Sequence, residues 1–219
     1  MSSFASALPR RRVLADLIAR PSSRALALAV DAGVVVAGTI FVALLAQVTI
    51  PLPIVPITGQ TLAVLVVGAS LGAVRAASAL LLYAFVGVVG LPVFSEGASG
   101  PGVLFGSTGG FIVGFIVSAA LVGWMSERQW DRRFVKALVT FVVGTVVTFA
   151  VGLPWLFVWF SAIGAETYTA WGYATALQGT IESGLLPFIL PGVVKAVIAA
   201  ALIPGAWALV RALDTRKGR

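Results

Sequence analysis

Neither cysteine nor histidine occurs anywhere in the chain. Without cysteine there are no disulfides, thiolate metal ligands or thiol nucleophiles, and without histidine there is no Ser-His-Asp triad and no imidazole-ligated metal. Charge is scarce as well, since Asp, Glu, Lys and Arg make up 11% of 219 residues. No GxxxxGK[ST] motif is present, because none of Lys136, Lys195 and Lys217 is followed by Ser or Thr, so the chain has no Walker site for ATP. The apolar segments contain no paired carboxylates of the kind that ion-coupled carriers use. These absences leave little for catalysis; no cofactor and no metal are expected, and energy for uphill transport has to come from a partner.

What is abundant is apolar: 59% of residues are hydrophobic and the mean hydropathy is +1.05, far above soluble domains. A hydrocarbon core about 30 Å thick asks for roughly 20 apolar residues per helix. Runs of this kind lie at 25–50, 57–74, 76–90, 109–125, 135–160 and 187–210, separated by charged or Pro/Gly-rich segments where helices end. The expected fold is an all-α integral membrane protein, a bundle of six transmembrane helices. The first run is too long for the core of a cleaved signal peptide. Residues 1–24 form a basic tail, 25–213 the membrane domain, and 214–219 a second basic tail. Val13, Leu14, Leu17 and Ile18 recur at helical spacing, which leaves an interfacial helix and an unstructured tail as alternatives for part of the first tail.

The net charge of +7 is ordered along the chain. Arg10, Arg11, Arg12, Arg20 and Arg24 precede the first run, Arg75 lies between the second and third, Arg128, Arg132, Arg133 and Lys136 between the fourth and fifth, and Arg211, Arg216, Lys217 and Arg219 follow the sixth. The alternate connections carry Glu96, Glu166 and Glu182 and no base. Basic loops stay in the cytoplasm, so both termini are expected there, in the cytoplasmic membrane of a cell. Trp124, Trp130 and Trp207 then fall near inner ends and Trp155, Trp159 and Trp171 near outer ends, as aromatic belts. Pro154 falls inside the long fifth run and predicts a tilt or kink.

The unusual residues gather on the outer side. PLPIVPITGQ, 51–60, is uncharged and held stiff by three prolines, so it reads as a lid, with Thr58, Gln60 and Thr61 either lining a pocket or capping the second helix and reaching headgroups. GLPVFSEGASGPGVLFGSTGG, 90–110, is too glycine-rich for a plain connector. Phe94 and Phe105 offer apolar faces there, and Ser95, Ser99, Ser107 and Thr108 offer hydrogen bonds. Gly106, Gly110 and Gly114 recur every four residues, a spacing that also serves close helix packing. Lys195 is the one base outside the cytoplasmic set. A lysine inside a membrane helix costs roughly 2.5–3.5 kcal/mol, which points either to an anion site inside the bundle or to snorkelling into headgroups. Asp31 pairs with an arginine or reaches the inner interface, with a role facing a partner as the alternative. Ala25, Ala29, Gly33 and Ala37 form a small-residue stripe for another helix, inside or outside the bundle.

Four motifs then coincide in order: PITGQTLAVLVVGASLG at 56–72, GLPVFSEG at 90–97, STGGFIVGF at 107–115, and PF followed by Lys195. Together they resemble the BioY family of biotin transporters, the substrate-binding S-components of energy-coupling factor (ECF) transporters. The resemblance implies high-affinity capture of biotin from outside, apolar contacts from Phe94 and Phe111, polar contacts from Thr58, Gln60, Ser99 and Thr108 with Gly109 beside them, and Lys195 as the cation near the ligand. It implies partners as well: a transmembrane coupling subunit, met through Ala25, Ala29 and Gly33, and its ATPase subunits. The sequence departs from the family where PGD precedes two apolar residues and the lysine; aligned without a gap from Pro187, the acid position is Gly192. Glu96 is a second departure, expected to repel a carboxylate ligand or to pair with Lys195. The alternatives are the same module tuned to another small molecule, and a facilitator that works without a partner.

Overall fold

The computed structural model describes residues 13–18 and 21–217. The tail arginines Arg10, Arg11, Arg12 and Arg20, and Arg219 at the other end, lie outside the described residues. Nearly everything else is helix. Apolar chain in a bilayer must satisfy its backbone internally, and helices do so within a single segment.

Helix α1 spans Arg24–Ala46, α2 Gln60–Leu71, α3 Ala73–Val88, α4 Pro101–Phe105, α5 Gly109–Glu127, α6 Phe134–Ile163, α7 Ala165–Ala170, α8 Ala176–Gly184 and α9 Leu186–Lys217. Among the described residues, four stretches are long and apolar enough to cross a membrane: α1, α5, α6, and Ala176–Arg216, which α8 and α9 share. Helices α2 and α3 are apolar but shorter, at 12 and 16 residues. The protein is therefore a multi-pass, all-helical membrane protein.

Turn chemistry sets the breaks. Gly72 at φ +84° ends α2 and opens α3, a conformation that costs other residues strain. The freed amide of Ala73 is taken up by Glu127 Oε1 at 2.9 Å, fixing the α2–α3 joint to the end of α5. Thr175 caps α8 by accepting from the Gln178 amide at 3.1 Å. By contrast α6 continues through Pro154, and α9 through Pro191 and Pro204, as single helices.

Helix α5 is the central post, with α2 and α3 on one side and α6 on the other. A side chain at Gly114 would meet the Thr148 carbonyl oxygen on α6 at 2.7 Å, and one at Gly110 would collide with Trp155. Both glycines therefore serve the α5–α6 seam. Gly106 lies outside α5, where its carbonyl accepts from Trp155 Nε1 at 2.9 Å.

Two apolar cores stack along the bundle. One, towards the Pro/Gly-rich loops, holds Tyr83, Phe94, Phe111, Phe115, Phe160 and Phe188; the other, towards the basic connections, holds Leu65, Val122, Phe141, Ala199 and Trp207. At the basic end Trp207 is buried and its Nε1 donates to Asp131 Oδ2 at 2.7 Å, with the Arg132 guanidinium 3.2 Å above the indole. Trp207 is thus an internal strut instead of a belt residue, while Trp124, Trp130, Trp155 and Trp171 remain exposed.

The segment 13–18 is a short 3₁₀ turn with Val13 buried and Leu14 and Leu17 packed against the inner core. It docks on the bundle because Asp16 pairs with Arg75 Nη1 at 3.2 Å. Arg75 Nε also holds Asp31 at 2.9 Å, so the Asp31–arginine pairing is present. On α1, Ala25, Ala29, Gly33 and Ala37 are all exposed, and a side chain at Gly33 would meet nothing. The stripe faces away from the bundle.

Candidate functional site

The loop end is built around a two-residue ladder. Thr49 and Ile50 pair antiparallel with Thr58 and Ile57, folding PLPIVP over the top of the bundle. Three further bonds pin that segment: the Gly59 amide to the Val48 carbonyl at 2.8 Å, Ser107 Oγ to the Ile54 carbonyl at 2.8 Å, and Lys195 Nζ to the Thr58 carbonyl at 2.6 Å. Proline and internal bonding together keep it in place without regular structure.

Beneath it lies a narrow cleft with a cavity volume of about 40 Å³. Its lining comes from the 51–59 segment (Val55, Pro56, Thr58), α2 (Gln60, Thr61), the loop after α3 (Phe94, Ser95), α4 and α5 (Val103, Thr108, Phe111, Ile112, Phe115), α6 (Thr148, Phe149) and α9 (Phe188). No charged side chain lines it.

One polar chain passes through this lining at Thr58 and Gln60, with every donor pointing the same way. Lys195 Nζ donates to the Thr58 carbonyl, Thr58 Oγ1 to Gln60 Oε1 at 2.8 Å, Gln60 Nε2 to Tyr83 Oη at 2.6 Å, and Tyr83 Oη to the Val93 carbonyl at 3.2 Å. Thr58, Gln60 and Tyr83 are buried, and in a low-dielectric interior such bonding is what makes them tolerable. The chain also fixes the Gln60 amide, oxygen towards Thr58 and nitrogen towards Tyr83. Thr61, Ser95 and Thr108 add hydroxyls to the lining that no side-chain hydrogen bond among the described residues engages.

Phe94 is seated with similar care. Its ring lies on Gly87, where any side chain would collide with it, and stands edge-on to Tyr83 at 5.4 Å. Gln47, at the end of α1, closes the same loop: Nε2 donates to the carbonyls of Val93 at 3.3 Å and Phe94 at 3.0 Å, and Oε1 accepts from the Gly97 amide at 3.1 Å.

Of the residues singled out from the sequence, Thr58, Gln60, Phe94, Thr108 and Phe111 come together on the cleft. Lys195 stands behind Thr58 and reaches the site through its carbonyl. Ser99 is not on the lining; Ala98 turns inward and the Gly100 amide bonds to Gly87, which leaves Ser99 exposed. Gly109 is off the lining too, lying directly against the backbone of Leu104, so its smallness lets α4 cross the start of α5. Glu96 is exposed at φ +60°, and among the described residues no ion pair joins it to Lys195. Gly192 lines a separate groove between α6 and α9 instead of the cleft. Gln47, Tyr83, Phe115, Phe149 and Phe188 were not read from the sequence as site residues. Phe115 and Phe188 lie in the quoted STGGFIVGF and PF motifs, which could have pointed to them, whereas Tyr83 and Phe149 sit in apolar helices where a core residue looks the same.

An uncharged aromatic cleft over a satisfied polar floor, at one end of a membrane bundle, defines a binding protein for a small, largely apolar solute with a few hydrogen-bonding groups. The BioY family profile matches residues 19–212, and the chain belongs to the BioY family. It is 34% identical over 177 residues to the biotin transporter BioY2 of Lactococcus lactis subsp. cremoris (strain MG1363), covering 81% of this chain and 88% of that one. It is 31% identical over 166 residues to the biotin transporter BioY of Thermotoga maritima, covering 74% and 89%. In fold it is similar to the crystal structure of the S-component for biotin from an ECF-type ABC transporter, with a TM-score of 0.66 at 19% identity, over 86% of this chain and 95% of that chain.

Proposed function

We propose that this protein captures biotin at the loop end of its bundle and works as the substrate-binding S-component of an ECF-type transporter in the cytoplasmic membrane, a transport subunit and not an enzyme. The observation that carries this reading is the donor chain from Lys195 to Tyr83 running under an aromatic cleft. Biotin has a flat ureido ring that needs donors and acceptors, a thioether ring that needs apolar cover, and a carboxylate. Gln60, Thr61, Ser95 and Thr108 suit the first, Phe94, Phe111, Phe115, Phe149 and Phe188 the second, and Lys195 supplies the one nearby positive charge for the third.

In this reading α1, α2, α3, α5, α6 and α9 are the six crossings, both termini are cytoplasmic, and the cleft opens outward. The outward stripe Ala25, Ala29 and Gly33 supports a contact with a transmembrane coupling subunit, whose paired ATPases supply the energy that this chain has no motif to extract. Gly192 lies on the α6–α9 groove, so the missing acid takes no group from the cleft; this favours biotin over a different substrate.

The test is calorimetric titration of biotin into the purified protein, with thiamin and riboflavin as competitors, followed by uptake into liposomes with and without the coupling subunits. One-site binding of biotin alone is expected, with accumulation only when the ATPases are present. A folded sample that ignores biotin would sink the substrate assignment, and uptake without partners would make the protein a facilitator.

A further inference from the structure

Phe149 and Phe188 each line two spaces. On one side is the cleft; on the other is a groove between α6 and α9 lined by Val142, Thr145, Val146, Leu153, Gly192 and Val193 among others. The groove has a volume of about 580 Å³, against about 40 Å³ in the cleft. Small-molecule sites generally enclose about 300–1,000 Å³, so a bicyclic ligand with an acyl tail fits the cleft only if a wall gives way.

Most walls are held. The 51–59 segment is tied by Lys195, Ser107 and the ladder. Phe94 is seated on Gly87 under the Gln47 clasp, Thr148 Oγ1 bonds the Gly144 carbonyl at 3.2 Å, and Phe111 lies against Gly152. The Phe149 ring meets Phe111 at 5.7 Å and Phe188 at 5.9 Å between centroids, and both phenylalanines also border the open, apolar groove. Moving an aromatic ring there breaks no hydrogen bond, and fluid acyl chains yield to it.

Taking the cleft as the biotin site proposed above, we infer that the ligand gains its room by displacing Phe149 and Phe188 into the α6–α9 groove. The groove is the reserve volume of the site, and the side chains that line it limit ligand entry. Gly192 keeps it open: a Cβ there would meet only Thr145 Cγ2, at 3.6 Å, so a larger side chain enters the groove without a clash at its base.

The test measures biotin association and dissociation rates for the full chain and for Gly192→Leu, Val193→Trp and Phe188→Ala, with thermal unfolding as a folding control. Both groove-filling variants are expected to bind at least about tenfold more weakly, mainly through slower association, as overpacking blocks the ring movement. Phe188→Ala should associate faster, and adding it to Gly192→Leu should restore the rate. Wild-type rates in both filling variants overturn the inference while leaving the biotin assignment intact; no binding by the wild type rejects that assignment and this inference with it. Should both filling variants misfold, an unchanged association rate in Phe188→Ala overturns it alone.

Discussion

Lys195 Nζ donates to the carbonyl oxygen of Thr58 at 2.6 Å, joining two positions 137 residues apart. The bond ties α9 to the strap that roofs the cleft and puts a positive charge at its edge. Lys195→Met is expected to weaken biotin binding by roughly thirtyfold to several thousandfold, the range for removing one partner of a buried charged contact. Hydrogen exchange at the amides of 54–59 should quicken in the same variant. Unchanged affinity in calorimetry would remove Lys195 from the site.

Gln47 lies at the surface but closes the loop that carries Phe94. Gln47→Ala should quicken exchange at Gly97 and Ala98 while barely moving the global unfolding midpoint, because each exposed bond adds at most about 1 kcal/mol. Biotin should dissociate faster. Protection factors in 93–98 equal to wild type would show that Tyr83 and Gly87 hold the loop without it.

Gly114→Val tests the α5–α6 seam. Its new side chain meets the Thr148 carbonyl, which is backbone and cannot rotate away. Overpacking of this kind costs about 1–3 kcal/mol, and a lowered unfolding midpoint in detergent is the expected result. A wild-type midpoint would mean that the two helices separate freely there.

Asp131 gives a pH dependence at the basic end. Burial pushes its carboxyl above the ordinary carboxylate range, while the bond from Trp207 and the charge of Arg132 act to lower it. With the folded value above the unfolded one, this group's contribution to stability is complete below the unfolded value and is lost as pH rises through the folded one. The unfolding midpoint should therefore fall across that window, and Asp131→Asn, which keeps an acceptor for Trp207, should flatten the fall. An identical slope in the variant would assign it to another group.

The long helices were legible because hydrophobic length alone announces them: expected runs at 109–125 and 135–160 became Gly109–Glu127 and Phe134–Ile163. The break between α2 and α3 was legible near Arg75, but the pivot is Gly72, three residues earlier. The sixth run, expected to end at 210, continues as helix to Lys217, because the apolar pattern stops at the basic end while the helical backbone runs on through Arg211 and Arg216. The short helices α4, α7 and α8 were hidden in the outer segments, where glycine and proline also mark turns. In the cleft, Thr58, Gln60 and Thr108 stood out as polar residues in apolar surroundings. Phe149 did not, since only the packing of α6 against α9 distinguishes it from any other phenylalanine in an apolar helix, and Phe188 was quoted only as part of the PF motif and given no role. Gln47 was missed because one glutamine at the end of a helix carries no pattern.

The brevity of α2 and α3 reaches beyond the protein itself. At about 1.5 Å per residue they measure about 18 and 24 Å, short of a hydrocarbon core about 30 Å thick. Next to them, the full-length α1 and α6 present taller apolar walls to the same bilayer. Helix α2 has no exposed residue, whereas α3 exposes Val74, Leu81 and Phe85, so on the proposed six-crossing reading it is the α3 flank that asks lipid to thin, at a cost of fractions of a kcal/mol per Å of mismatch. Thicker bilayers should raise that cost on the α3 flank first, which favours a lean of the molecule towards that side.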